Sequence, residues 1–232
     1  MNVKRVSLAL LFLVACSVVA FGDTITITGT GSNSAGGVMV VPYYISDNNG
    51  TTITNYLVAC DSYFNRVHIG ESWPGTVNTA ATLNLAKFGN VAGFDSVKAY
   101  TEAAWLLEKW ESNPLSSTAG PTNFAIWGLF YSAYAGAPAS LDPTENAQFL
   151  SGFASTGAQT WVTQADTWYA TTSGADRAET LGALRIFTPS DEINNSNGPQ
   201  EYIGIVPEPS SLALMAGGLI GLAGSIRKFR LN

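Results

Sequence analysis

The chain has 232 residues, a formal net charge of −6, and only 12% charged residues, about half the usual share. Five of its 11 Lys and Arg residues lie near the ends (Lys4, Arg5, Arg227, Lys228, Arg230), but only Glu208 of its 17 acids does, so 6 cations face 16 acids between residues 23 and 206, a net charge near −10. That field excludes nucleic acid and anionic lipid as partners of the central part; it suits solubility, divalent cations or neutral polysaccharide.

Residues 1–5 are basic, 6–14 are apolar apart from Ser7, and small residues follow to Gly22. This is the order of a secretory signal peptide, with an apolar core too short to span a bilayer. Cleavage fits after Ala20 or after Gly22; we take Gly22, which leaves a domain starting at Asp23. The alternative is a lipoprotein signal ending in Leu13-Val14-Ala15-Cys16, although the apolar stretch continues through Val19.

No internal repeat interrupts the central part. Residues 24–28 alternate Thr and Ile, a half-buried strand pattern. A second run, 36–45, is broken by Pro42. Asp47-Asn48-Asn49-Gly50 is a turn signal between strand-like 40–45 and 51–59. Further strands are predicted at 64–69 and 72–77. The period then changes. Asp95 is an N-cap for a helix over 97–111, with Ala103, Leu106, Leu107 and Trp110 on one face. Asn113-Pro114 ends it. Residues 123–134 are apolar on nearly every side, which predicts a buried helix. Asp142-Pro143-Thr144-Glu145 starts another, to about 154, and 158–170 a fourth. Strand signals return at 182–187 and 201–206, with a loop over 189–199. This order predicts an α+β domain over 23–205: an antiparallel β-sheet or barrel with a helical insertion, flanked by an N-terminal signal peptide (1–22) and a C-terminal transmembrane helix.

That helix is predicted at 210–226, 17 residues without a charge. At about 25 Å it reaches the lower limit for a span. Arg227, Lys228 and Arg230 follow, which places the C-terminus in the cytoplasm. Pro207 and Pro209 permit neither helix nor ladder, so Glu208 is held in an extended stretch. Val206, Pro207, Glu208, Pro209 and Ser210, with the span and basic end, resemble the PEP-CTERM sorting domain of Gram-negative bacteria, covering 206–232. The resemblance implies processing by an exosortase, a membrane cysteine transpeptidase. It also implies an inner-membrane intermediate held by the C-terminal helix, then residence in the cell envelope or extracellular matrix. The family tends to accompany exopolysaccharide, which makes exopolysaccharide or other envelope components expected partners.

Chemistry-bearing residues are sparse. If Cys16 leaves with the signal peptide, Cys60 is alone in an oxidising compartment. It can be a buried inert thiol, an intermolecular disulfide, a nucleophile or a cross-link. The lone His68 is its one candidate base, eight residues on. One His and one Cys make no metal set, and no carboxylate pair stands out as a glycosidase dyad. The expectation is a non-enzymatic domain without catalytic residues, metal or cofactor. Trp73, beside Pro74-Gly75, is expected to be an exposed ring for surface contact. A weaker resemblance covers residues 40–135. Tyr56-Leu-Val-Ala-Cys60-Asp-Ser-Tyr-Phe64, Ile69-Gly-Glu-Ser-Trp73 and Asn123-Phe-Ala-Ile-Trp127 are similar to segments of surface thioester domains. In those, a strand Cys condenses with a helix Gln. The resemblance implies a Cys60–Asn123 cross-link and, as the alternative function, a covalent adhesin. Asn123 is one methylene shorter than Gln, which leaves its carbonyl about 1.5 Å short of the sulfur on an unchanged backbone.

Overall fold

The computed structural model describes residues 23–135, 142–190 and 199–206. The expected signal peptide, Pro207 to Ser210 of the sorting motif and the expected transmembrane helix lie outside the described residues. Among the described residues no helix is long and apolar enough to cross a membrane.

The first half is strand. β1 is Asp23–Thr30, and a small hairpin of β2 (Ser34–Ala35) and β3 (Val38–Met39) follows. Its turn is Gly36-Gly37, with φ of 57° and 80°, the left-handed pair a tight two-residue hairpin requires. Then come β4 (Tyr43–Asn48), β5 (Ile53–Cys60) and β6 (Ser72–Asn78). A 3-10 segment at Ala80–Leu85 leads into five helices: α1 (Ser96–Glu111), α2 (Ser116–Ala135), α3 (Pro143–Thr156), α4 (Ala158–Thr171) and α5 (Gly174–Ala183). The chain returns through β7 (Leu184–Pro189) and β8 (Tyr202–Ile205). Six strands close an antiparallel barrel in the order β1-β4-β5-β8-β7-β6. The fold is therefore α+β, a closed barrel with a helical insertion between β6 and β7.

Local chemistry accounts for most element boundaries. Ile25 and Ile27 of β1 point into the barrel while the threonines between them face outward or sit at its rim. Asn48 and Asn49 side chains accept the backbone N–H groups of Gly50, Thr51 and Thr52, so the β4–β5 turn is built by its own amides. Asp95 caps α1 through the Lys98 N–H, and Asp142 caps α3 through Thr144 and Glu145. Gly157, at φ 72°, ends α3 and opens α4.

Three expectations are corrected. Residues 64–69 form a loop, not a strand, because the chain must turn there between β5 and β6. The second helix starts earlier, at Ser116 rather than 123; Gly120 and Pro121 hide its first turns from a propensity reading. The strand expected from 182 begins at Leu184, after a helix that was not foreseen. That helix, α5, is ten residues with a glycine near each end and no buried residue, so little in its composition marks it.

Helix α2 lies at the centre of the insertion, packed on α1, α3 and α4. Phe124, Ile126, Trp127 and Phe130 are buried along it. Tyr63, Phe64 and Phe149 join Phe124 and Trp127 in an aromatic cluster between barrel and helices. On α1, Glu102 is 2% exposed and sits 3.5 Å from Lys98, which also holds Asp166 at 2.6 Å. Burial pushes the Glu102 carboxyl up to about 7, against the pull of Lys98. The folded state thus keeps a proton that the unfolded chain releases near pH 4.3. Stability from this site is full below that pH and lost as pH rises through 7, by at most about 4 kcal/mol. Thermal unfolding from pH 5 to 8 should show a falling midpoint, and Glu102→Gln should flatten the slope.

Candidate functional site

Two of the residues singled out in the sequence meet at the junction of barrel and helices. Cys60 ends β5 and Asn123 lies on α2; both are fully buried. Asn123 Nδ2 donates to the Cys60 carbonyl at 3.0 Å, and its Oδ1 accepts from the Val41 N–H at 2.9 Å. The amide thereby ties the centre of α2 to the end of β5 and to the segment just before β4. The Cys60 thiol turns to the adjoining loop. It donates to the Ser62 carbonyl and accepts from the Ser62 N–H, both at 3.3 Å. Burial, then the charge of Asp61, pushes the thiol well above its usual range. A thiol in that setting does not ionise near neutrality, which removes its nucleophilicity. His68 is exposed, on the loop between β5 and β6. We expect native Cys60 to resist iodoacetamide at pH 7.5 for hours, and to react at once in guanidinium; label incorporation by mass reads both.

Trp73 is not the exposed ring expected. It is 5% exposed and stacks on Tyr202 inside the barrel, centroids 6.2 Å apart. The reason is strand period: Trp73 and Gly75 point inward, Ser72 and Pro74 outward. The neighbouring Pro-Gly lies within β6, the strand expected over 72–77, and is paired with β1.

The most polar buried ground was not foreseen. Asp61 and Glu201 are both fully buried, beside one another at the β5 and β8 ends. Three donors converge on Glu201: the Tyr100 hydroxyl at 2.5 Å, the Thr188 hydroxyl at 2.5 Å and the Lys87 N–H at 2.8 Å. Asp61 Oδ1 accepts from the Ser62 hydroxyl at 3.1 Å, while Oδ2 meets no donor among the described residues. Burial first, and the Glu201 charge second, hold the Asp61 carboxyl well above the usual carboxylate range. A proton on Asp61 relieves both the bare oxygen and the like charge. The Lys87 ammonium reaches the same ground, donating to the carboxamide oxygen of fully buried Asn65. Burial lowers its basicity, partly offset by Glu201 and Asp61. In the sequence Asp61 and Asn65 are near neighbours, but Lys87 and Glu201 are far from them and no pattern joins the four. The one available signal was a lysine in the otherwise uncharged stretch 72–94.

A cleft of about 670 Å³, reached from this ground by Asn65, opens between barrel and helices. Tyr43, Tyr63 and Trp127 contribute apolar wall; Asn65, Gln148 and Gln200 contribute polar wall. Arg66 and Glu145 pair across its rim, and His68 stands beside them. Among the described residues no group of three His, Cys, Asp or Glu side chains is placed to hold a metal ion.

No curated protein and no solved structure matches the chain. The pattern of the PEP-CTERM protein-sorting motif matches residues 206–228, immediately after β8. The barrel closes one residue before the motif starts, so the domain presents its sorting segment directly from its last strand. The chain carries the PEP-CTERM sorting motif, which marks it as an exported polypeptide sorted by an exosortase.

Proposed function

We propose that the barrel-and-helix domain is a non-enzymatic binding module of the cell envelope or extracellular matrix, associated with exopolysaccharide. Export begins with a signal peptide cut after Gly22. A C-terminal membrane helix then holds the chain until the exosortase acts near Val206, Pro207, Glu208, Pro209 and Ser210. The observation that carries the binding reading is the open cleft. It joins aromatic faces to uncharged amide side chains, the combination that takes neutral polar ligands. The strong negative charge of the central part is consistent with a neutral rather than an acidic polymer. Titration of the full-length protein with exopolysaccharide from the producing cells tests it. Gln148→Ala with His68→Ala should weaken binding about tenfold, or about 1.4 kcal/mol, with folding unchanged. Equal binding by the double variant would remove the cleft from consideration.

A second reading, a covalent adhesin with an acyl bond between Cys60 and Asn123, draws on the contact between Asn123 Nδ2 and the Cys60 carbonyl. It predicts a Cys60 that stays blocked in denaturant and is freed by hydroxylamine. Full alkylation in denaturant alone would dispose of it.

A further inference from the structure

We propose that Lys87 and Asn65 are the two partners of an intramolecular isopeptide bond, closed beside the buried carboxyl pair Asp61 and Glu201. The reaction needs an amine against a carboxamide, little water, and a group that can carry a proton between them. Contacts on the page meet the first two, and the carboxyl pair lies near enough for its charge to act on the amine. Lys87 Nζ is in hydrogen-bond contact with Asn65 Oδ1, so it lies at most one carbonyl bond, about 1.2 Å, further from Cγ. The electrophile is held still: Gln200 donates to the Asn65 backbone carbonyl, the Asn65 N–H donates to the Ser62 carbonyl at 3.4 Å, and the Tyr134 hydroxyl reaches Asn65 Oδ1 at 3.4 Å. The amine lies 5.7 Å from the ring centres of Phe88 and Tyr134, which shield it from water. The carboxyl pair has one oxygen without a donor among the described residues, Asp61 Oδ2.

The steps balance without an added reagent. The Lys87 ammonium gives a proton to the carboxyl pair and becomes a neutral amine, which burial already favours. Nζ attacks Asn65 Cγ; the C–N bond forms as the carbonyl pair moves onto Oδ1. The carboxyl pair returns a proton to Nδ2 and accepts one from Nζ. The carbonyl re-forms, the bond from Cγ to Nδ2 breaks, and ammonia leaves. Nothing is oxidised or reduced. The product joins the loop after β5 to the segment after β6, closing a covalent ring around two adjacent parts of the barrel rim. A cross-link that no reductant can open suits a domain that works outside the cell.

The experiment is peptide mapping of the full-length protein after denaturation, hydroxylamine treatment, alkylation and trypsin. Trypsin cannot cut after an acylated Lys87. The expected product is a branched species in which the peptide ending at Arg66 is joined through Asn65 to peptide 67–98, lighter by one ammonia. It survives hydroxylamine and carries an alkylated Cys60. Lys87→Arg, checked for folding by circular dichroism, should yield only linear peptides. Linear peptides ending at Lys87 in the native sequence would overturn the proposal. So would a deficit of one ammonia mapping to Cys60 and Asn123, or loss of one water mapping to Lys87 and Asp61.

Discussion

Asn123→Ala is expected to destabilise the domain by about 3 to 5 kcal/mol. Three contributions add. The Val41 N–H and the Cys60 carbonyl each lose their buried amide partner, and each orphan costs about 1–3 kcal/mol. The vacated space lies in a packed region, between the aromatic cluster and β5, where collapse is limited. The effect should be a lower denaturation midpoint with an unchanged slope, since only contacts within the folded state are removed. Asn123→Asp is a useful companion. A carboxylate keeps the acceptor for Val41 but turns an acceptor oxygen on the Cys60 carbonyl, so it should cost nearly as much at pH 8 and less at pH 4. If Asn123→Ala were neutral, the amide would not be the tie between α2 and the barrel.

That tie shows what a sequence can disclose. Cys60 and Asn123 were paired by resemblance to thioester domains, and the structure does bring them together, through a hydrogen bond between amide and main chain. No period or spacing in the residues alone would have joined positions 63 apart. The Thr/Ile alternation of β1 and the caps Asp95 and Asp142 were legible because each acts on its own neighbours. The choice between open sheet and barrel was not, because pairing of β1 with β6 on one side and β4 on the other is settled by shape across the whole sheet. Trp73 was misplaced for a related reason: its segment reads as a strand, but which face of that strand turns inward is settled by its pairing with β1. Asp61 and Glu201 lie 140 positions apart, and nothing local marks either as buried. Buried charge is an outcome of packing, and sequence composition carries no trace of it.

Glu201→Ala is expected to cost about 3 to 5 kcal/mol, while Asp61→Asn stays within about 1 kcal/mol at pH 5. The two carboxyls are neighbours and equally buried, so the contrast isolates their roles. Removing Glu201 strips a shared acceptor from Tyr100, Thr188 and the Lys87 backbone N–H at once. Asp61 carries a raised carboxyl, held up by burial and by Glu201, and an asparagine resembles the protonated acid in shape and charge. The pH dependence then has a definite sign. In the native chain the folded state retains the Asp61 proton after the unfolded state has lost it, so stability falls as pH rises above about 4. Asp61→Asn has no such proton to lose. Its stability relative to the native chain should therefore improve steadily from pH 5 to pH 8, measured by urea unfolding at each pH. A constant difference would mean that Asp61 is ionised throughout, and that Lys87, not a proton, neutralises the pair.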